Sequence, residues 1–226
     1  MDGSSREGGT MTTHPLWLSF AAEANARRQG QRIADRQTPP GPVREHDARW
    51  RDDFIEVGRL IADTIGDQVI EIRHVGSTAV PGLAAKPVID IDLTVPDVED
   101  EGAYLPPLEA AGFRLIFRDA MAGDPHRHLT LARPNTNLHV WSPGAVEPLR
   151  HALFTEWLGA NASDRERYGA AKTAAVEATG GERYNDLKAA AVYDIYERAF
   201  LADPFHHHDP QPRPGLPASV VDGNRT

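Results

Sequence analysis

The stretch His74-Val75-Gly76-Ser77-Thr78-Ala79-Val80-Pro81-Gly82-Leu83-Ala84-Ala85-Lys86-Pro87-Val88-Ile89-Asp90-Ile91-Asp92-Leu93-Thr94-Val95 decides how the rest of the chain is read. Its second half alternates as a strand does. Ile89, Ile91, Leu93 and Val95 fall on one face; Val88, Asp90, Asp92 and Thr94 fall on the other. Two carboxylates therefore project from one side of one strand. Their repulsion serves no structural purpose. A divalent cation between them relieves it, and hard oxygen ligands suit Mg2+ or Mn2+. In the first half, Gly76-Ser77 sits between an apolar run and a Pro/Gly bend. Gly allows close backbone approach to a phosphate, and Ser adds a hydroxyl donor.

Working outward, Asp47 to Ile65 reads as a helix, with Trp50, Phe54, Val57, Ile61 and Ile65 on one face and Gly66 as its stop. Val69 to His74 alternates as a strand. Pro96-Asp97 opens a helical connection to Ala111, broken at Pro106-Pro107. Gly112 to Arg118, Arg127 to Ala132 and Leu138 to Trp141 read as strands, the last two joined by a loop over Arg133–Asn137. After Pro143-Gly144 the chain turns helical. Val146 to Gly159 is followed by a helix capped at Ser163-Asp164-Arg165-Glu166 and stopped at Gly180-Gly181, then by a long helix from Tyr184 to Leu201. Pro15 to Gln37 has helical composition and ends at Thr38-Pro39-Pro40-Gly41-Pro42.

The fold class expected is α+β, a mixed sheet flanked by helices. The chain divides into a flexible N-terminus with an appended helix and Pro-rich linker (1–42), an α+β core (43–144), a helical segment of the same domain (145–202) and a disordered tail (203–226).

Composition narrows the function. A formal net charge of −9 and the lack of a dense Lys/Arg block argue against a general nucleic-acid binder. No run of 18 apolar residues is present, so no transmembrane helix and no membrane partner is expected. Met1 to His14 holds Asp2, Arg6 and Glu7, so no positive segment precedes the short apolar run at Pro15–Ala22. The absence of Cys excludes disulfides and thiolate chemistry, and a cytoplasmic location fits.

Gly-Ser, a gap, then Asp-x-Asp on a strand resembles the nucleotidyltransferase superfamily with the DNA polymerase beta-like fold. Arg73 through Asp92 is similar, almost residue for residue, to the GrpB family. Asp47-Ala48-Arg49-Trp50, Asn137-Leu138-His139-Val140-Trp141, Arg150-His151-Ala152-Leu153-Phe154, Tyr168-Gly169-Ala170-Ala171-Lys172 and Tyr184-Asn185-Asp186-Leu187-Lys188 resemble its other motifs, with Ala48 where the family has Pro. That family also occurs fused to dephospho-CoA kinase, but this sequence has no Gly-x-x-x-x-Gly-Lys-Ser/Thr.

The resemblance implies a nucleotidyltransferase-like fold and a site. In the superfamily such an acid pair holds one or two metal ions on a nucleoside triphosphate. Asp90 and Asp92 take that role here, and His139 completes the metal set or acts as general base near the acceptor. Asp119 competes for the third place. Gly76 and Ser77 face the phosphates, with Lys86 near them. Lys172 and Lys188, each four residues after a Tyr, sit where helices of the superfamily supply a cation. Arg127 and His128 point to opposite strand faces, and His128 is the preferred substrate contact. The activity expected is transfer of a nucleoside monophosphate from a nucleoside triphosphate to a small-molecule acceptor, with release of pyrophosphate. The alternatives are a nucleotide or metabolite binding module without chemistry and a metal-dependent phosphohydrolase.

Overall fold

A computed structural model describes residues 12–18, 32–179 and 184–211. The elements in order are α1 (Arg49–Ile65), β1 (Glu71–Val75), β2 (Ile89–Thr94), α2 (Glu101–Ala110), β3 (Arg114–Met121), β4 (Asp124–Leu131), β5 (Thr136–Trp141), α3 (Val146–Ala160), α4 (Ala162–Thr179) and α5 (Tyr184–Ala202). The sheet runs β1-β2-β5-β4-β3. The β2–β5 pair is parallel and the others antiparallel, so the sheet is mixed as expected.

The alternation of β2 sets the layers. Ile89, Ile91, Leu93 and Val95 are buried in one cluster with Trp50, Val57, Ile61 and Ile65 of α1 and Tyr104, Leu105 and Leu108 of α2. That cluster is the core, and burial of so many large apolar side chains is the main driving force for this layer. The opposite face of β2 carries Asp90 and Asp92.

A second cluster joins the helical segment to the sheet. Val80 and Leu83 pack with Leu158, Tyr168 and Ile195. The bend at Pro81-Gly82, where Gly82 takes φ +78°, thus inserts Leu83 among α3, α4 and α5.

Several expectations need correction. Helix α2 continues through Pro106-Pro107. Each Pro removes a backbone donor, but buried Tyr104, Leu105 and Leu108 hold the helix against the core, and the Tyr104 hydroxyl donates to Val98 O at 2.7 Å. Strands β3 and β4 are longer than expected and meet in a two-residue turn. Both turn residues have positive φ, Ala122 at 55° and Gly123 at 94°. Such a turn favours Asn-Gly or Asp-Gly, so Ala122-Gly123 carries little signal. Helix α4 starts at Ala162, before the expected Ser163 cap; the Asp164 carboxylate instead accepts from Trp157 Nε1 at 2.7 Å and Arg198 Nε at 3.0 Å.

The described ends of the expected N-terminal helix are not helical. Its middle, 19–31, lies outside the described residues, as do 1–11, the Gly180-Gly181 stop and 212–226. Residues 32–41 form a strap instead. Arg32 makes an isolated bridge to Phe117, and Ile33 N–H donates to Ile116 O at 2.9 Å. Residues 203–211, expected to be disordered, run beside residues 12–18. Asp209 N–H donates to Thr12 O at 3.1 Å, and His208 is buried.

Candidate active site

The site grows from the contact between Gly76 and Asp90. Val75 pairs with Asp90 across the β1–β2 ladder, so Gly76 comes next to the Asp90 side chain. Gly76 has φ +71°, and a Cβ built there would lie 2.6 Å from Asp90 Oδ2. A side chain at this position is excluded both by backbone conformation and by the carboxylate. Ser77 opens a short 3-10 turn to Ala79 and is half-buried.

Asp90 lies half-open on the polar face. Its Oδ1 accepts from Asn137 Nδ2 at 2.6 Å. The Asn137 amide is fixed from its other end, because Oδ1 accepts from Arg36 Nη1 and contacts His128 Nε2 at 3.1 Å. Burial pushes the Asp90 carboxyl pKa up; the Asn137 hydrogen bond and the charges of Lys188, His151 and Arg36 pull against that rise.

Asp92 is held differently. It is buried, and its Oδ1 accepts from Trp141 Nε1 at 3.0 Å. Its Oδ2 meets His151 Nδ1 at 2.9 Å. Burial pulls the His151 pKa down, but the bond to Asp92, with Glu147 and Asp90 nearby, overcomes this and leaves it above the usual imidazole value.

His139 is the register partner of Asp92 on β5 and of His128 on β4. Its Nδ1 lies 3.0 Å from His126 Nε2, and His126 Nδ1 lies 2.5 Å from Asp119 Oδ1. Asp119 accepts, so His126 carries its proton on Nδ1. With both rings neutral, His126 Nε2 then accepts from His139 Nδ1–H, and His139 Nε2 carries the lone pair. That is the tautomer of a base or a metal ligand. Asp119 stands behind His126 as the orienting group; its side chain is only 3% exposed.

The lysines gather on the other side. Lys172 is buried, and its Nζ donates to Ala84 O and lies 5.1 Å from the centroid of the Tyr168 ring. Burial, then the Lys188 charge, pushes its pKa down to about 7, while Asp90 opposes. Lys86 is also pushed down by burial and by Lys188. The three lysines thus act on one another near Asp90. The Tyr184 side chain lies outside the described residues.

Of the expected site residues, the structure brings Gly76, Ser77, Asp90, Asp92, His128, His139 and the three lysines to one side of the sheet and its flanking helices. It does not bring Arg127, which turns to the other face and donates to Glu101 Oε1 at 2.5 Å. Among the described residues, Asp90, Asp92 and His139 do not form a three-ligand group at metal spacing. The group that does is His14, Asp203 and His206. There, His14 Nδ1 accepts from Leu16 N–H at 3.0 Å, so the proton is on Nε2, which contacts Asp203 Oδ2 at 2.9 Å. Binding a metal at that nitrogen would force a proton against the Leu16 amide, so the trio reads as a clasp. A cavity of about 540 Å³ lies between residues 38–41, α1 and the β4–β5 loop, and neither site carboxylate lines it.

Sequence reasoning gave no role to Asn137, Trp141, His126 or Arg36, and ranked His151 below the lysines. Asn137, Trp141 and His151 lie within quoted motifs, and their same-face spacing on β5 or place after Arg150 was a usable signal. His126 shares a strand face with His128. Arg36 had no signal, since it lay in a stretch read as a helix.

Fold and site together define an α+β protein with a five-stranded mixed sheet flanked by helices and an acid pair on its polar face. The model of the family described as GrpB protein matches residues 42–198, and the chain belongs to that family. It is 41% identical over 159 residues to UPF0157 protein BH1888 of Halalkalibacterium halodurans, covering 69% of this chain and 80% of that one. It is 31% identical over 205 residues to a dephospho-CoA kinase of Mycobacterium bovis, covering 77% of this chain and 50% of the kinase. The crystal structure of conserved protein GrpB from Enterococcus faecalis is similar at 25% identity with a TM-score of 0.63, covering 71% of this chain and 98% of that one.

Proposed function

We propose that this protein is a metal-dependent nucleotidyltransferase that moves a nucleoside monophosphate from a nucleoside triphosphate to a small-molecule acceptor, releasing pyrophosphate. The observation that carries the reading is an inversion of charge. In a chain of net charge −9, Arg36, Lys172, Lys188 and His151 act on Asp90 of the acid pair, and Lys86 acts on the two other lysines. Such a set of charges suits a polyanion bound with a cation.

The residues fit Mg2+ or Mn2+. Two hard carboxylates share one strand face, and Gly76 puts no side chain against Asp90 Oδ2. His151 would share or yield Asp92 Oδ2. A bound ion supplies charge neutralisation at the phosphates. Gly76 and Ser77 hold the phosphate tail, and Lys86 and Lys188 offset its charge. Lys172, buried on Ala84 O, supports the loop beneath. His139, oriented by His126 and Asp119, takes the proton of the acceptor nucleophile at Nε2, and His128 contacts the acceptor. This sequence has no P-loop, so the reading owes nothing to the kinase activity named for the Mycobacterium protein.

The test is pyrophosphate release from a panel of nucleoside triphosphates and acceptors, alongside Mn2+ binding by electron paramagnetic resonance. Asp90→Ala should abolish both. Unchanged turnover in that variant would sink the mechanism. A second reading, a binding module without chemistry, is favoured by one observation: both Asp92 oxygens are already engaged, by Trp141 and His151. Nucleotide binding with no pyrophosphate release over a broad acceptor screen would select it.

A further inference from the structure

The strap at residues 32–41 precedes the 42–198 span matched by the family, yet it reaches the polar face of the sheet. It is tied down at several points. Gln37 Nε2 donates to Gly112 O at 3.0 Å, Thr38 Oγ1 donates to Ala132 O at 3.2 Å, and Asn135 Nδ2 donates to Pro39 O at 2.9 Å. These tethers present Arg36.

The Arg36 guanidinium is half-buried, and among the described residues its hydrogen bonds go to neutral acceptors. Its Nε donates to Thr38 O at 3.1 Å, its Nη2 to Asn135 Oδ1 at 2.9 Å, and its Nη1 to Asn137 Oδ1. Among the described residues no carboxylate lies within salt-bridge distance of it. The charge of Asp90 acts on it from beyond that distance, and Arg32, four residues earlier, opposes it. A partly desolvated cation is ordinarily paired, and guanidinium has five donors, of which these contacts use three. Two N–H groups remain for a planar or tetrahedral anion. Asn137 touches both Arg36 and Asp90, so a group docked on Arg36 lies one side chain from the acid pair.

We infer that Arg36 and its strap form an anion-binding subsite for the acceptor, which carries a carboxylate or phosphate group. The inference rests on the nucleotidyltransferase reading only for the word acceptor; the subsite stands on its own geometry. His128, on the same Asn137 oxygen, borders it. The strap makes the charge class of the acceptor a property of this chain's N-terminal segment rather than of the family-matched core.

The test is calorimetric titration of the full-length protein with succinate and, separately, inorganic phosphate. Each is run with and without a non-hydrolysable nucleotide and Mg2+, so that the lysines near Asp90 are covered in one arm. Whichever anion binds tighter names the acceptor group. Arg36→Ala should weaken that binding by about tenfold or more, and Arg36→Lys, which keeps charge but loses the fork, by about threefold. Added methylguanidinium should restore binding to Arg36→Ala, which a purely structural role for the strap would not allow. If Arg36→Ala does not fold, Arg36→Lys carries the test at an unchanged melting temperature. Wild-type affinity in the variants, or no binding of either anion at millimolar concentration to the wild type, overturns the subsite. Arg36-dependent anion binding in a protein that ignores nucleotides keeps the subsite and defeats the nucleotidyltransferase reading.

Discussion

The two faces of the five-stranded sheet are built by opposite rules. One face of β2 carries Ile89, Ile91 and Leu93, all fully buried against α1 and α2. The other carries Asp90, whose Oδ1 accepts from Asn137, and Asp92, whose two oxygens meet Trp141 and His151. The apolar face is non-directional and needs volume filled. The polar face is directional, and each group there depends on one or two specific atoms. The same strand therefore tolerates change in different ways on its two sides.

The largest effect should come from the apolar face. Ile91 is fully buried, and Ile91→Ala should cost about 2–5 kcal/mol of stability. Urea unfolding measures it. A loss under about 1 kcal/mol would mean that the face collapses easily and is not the core described.

Next comes the hinge between the faces. Gly76→Ala places a methyl group 2.6 Å from Asp90 Oδ2 at φ +71°. Backbone strain alone costs about 1–3 kcal/mol, and the Asp90 carboxylate must move. The expected signature is a loss of Mn2+ and nucleotide binding larger than the stability loss implies. A variant that binds both like the wild type would show that the close approach has no role in the site.

The third effect runs against intuition. Burial raises the Asp90 pKa above that of a free carboxyl. The folded state then holds a proton that the unfolded state releases, so this group's contribution to stability falls as pH rises from the unfolded value, near 3.8, through the folded one. At neutral pH the charged Asp90 is a cost. Asp90→Asn should therefore raise stability at pH 7 by about 0.5–2 kcal/mol while abolishing metal binding. The gain should shrink as pH is lowered toward 4. Thermal melts across that range decide it, and a destabilised Asp90→Asn at neutral pH would mean that the surrounding cations already outweigh the burial.

Legibility in the sequence followed the same division. The alternation of Val88–Val95 and the helical spacing from Trp50 to Ile65 gave the apolar face directly, because each is a local pattern with a fixed period. The acid pair and Gly76 were legible for the same reason. The partners of the acid pair were not. Trp141 lies 49 residues from Asp92 and His151 lies 59 residues from it. No local period links such residues; only the parallel register of β2 with β5 and the docking of α3 bring them together. Ala122-Gly123 hid a hairpin because Ala seldom takes positive φ. Arg36 hid because helical composition says nothing about a strap held by contacts with β3 and β5.

The smallest effect separates the faces within one strand. Arg127 and His128 are neighbours on β4. His128 is buried on the polar side with Asn137, while Arg127 donates to Glu101 on the other. Glu101 also accepts from Arg118, so it keeps a cation if Arg127 is lost. Both pairs are partly exposed, and such pairs contribute about 0–1 kcal/mol. Arg127→Gln should therefore change stability by no more than that and leave Mn2+, nucleotide and anion binding at wild-type values. His128→Ala should weaken anion binding, since it removes one of the two groups that fix the Asn137 amide. Calorimetry on the two variants side by side is the measurement. If Arg127→Gln weakens ligand binding as much as His128→Ala does, the two sides of β4 are not independent, and the division between a core face and a site face fails at this strand.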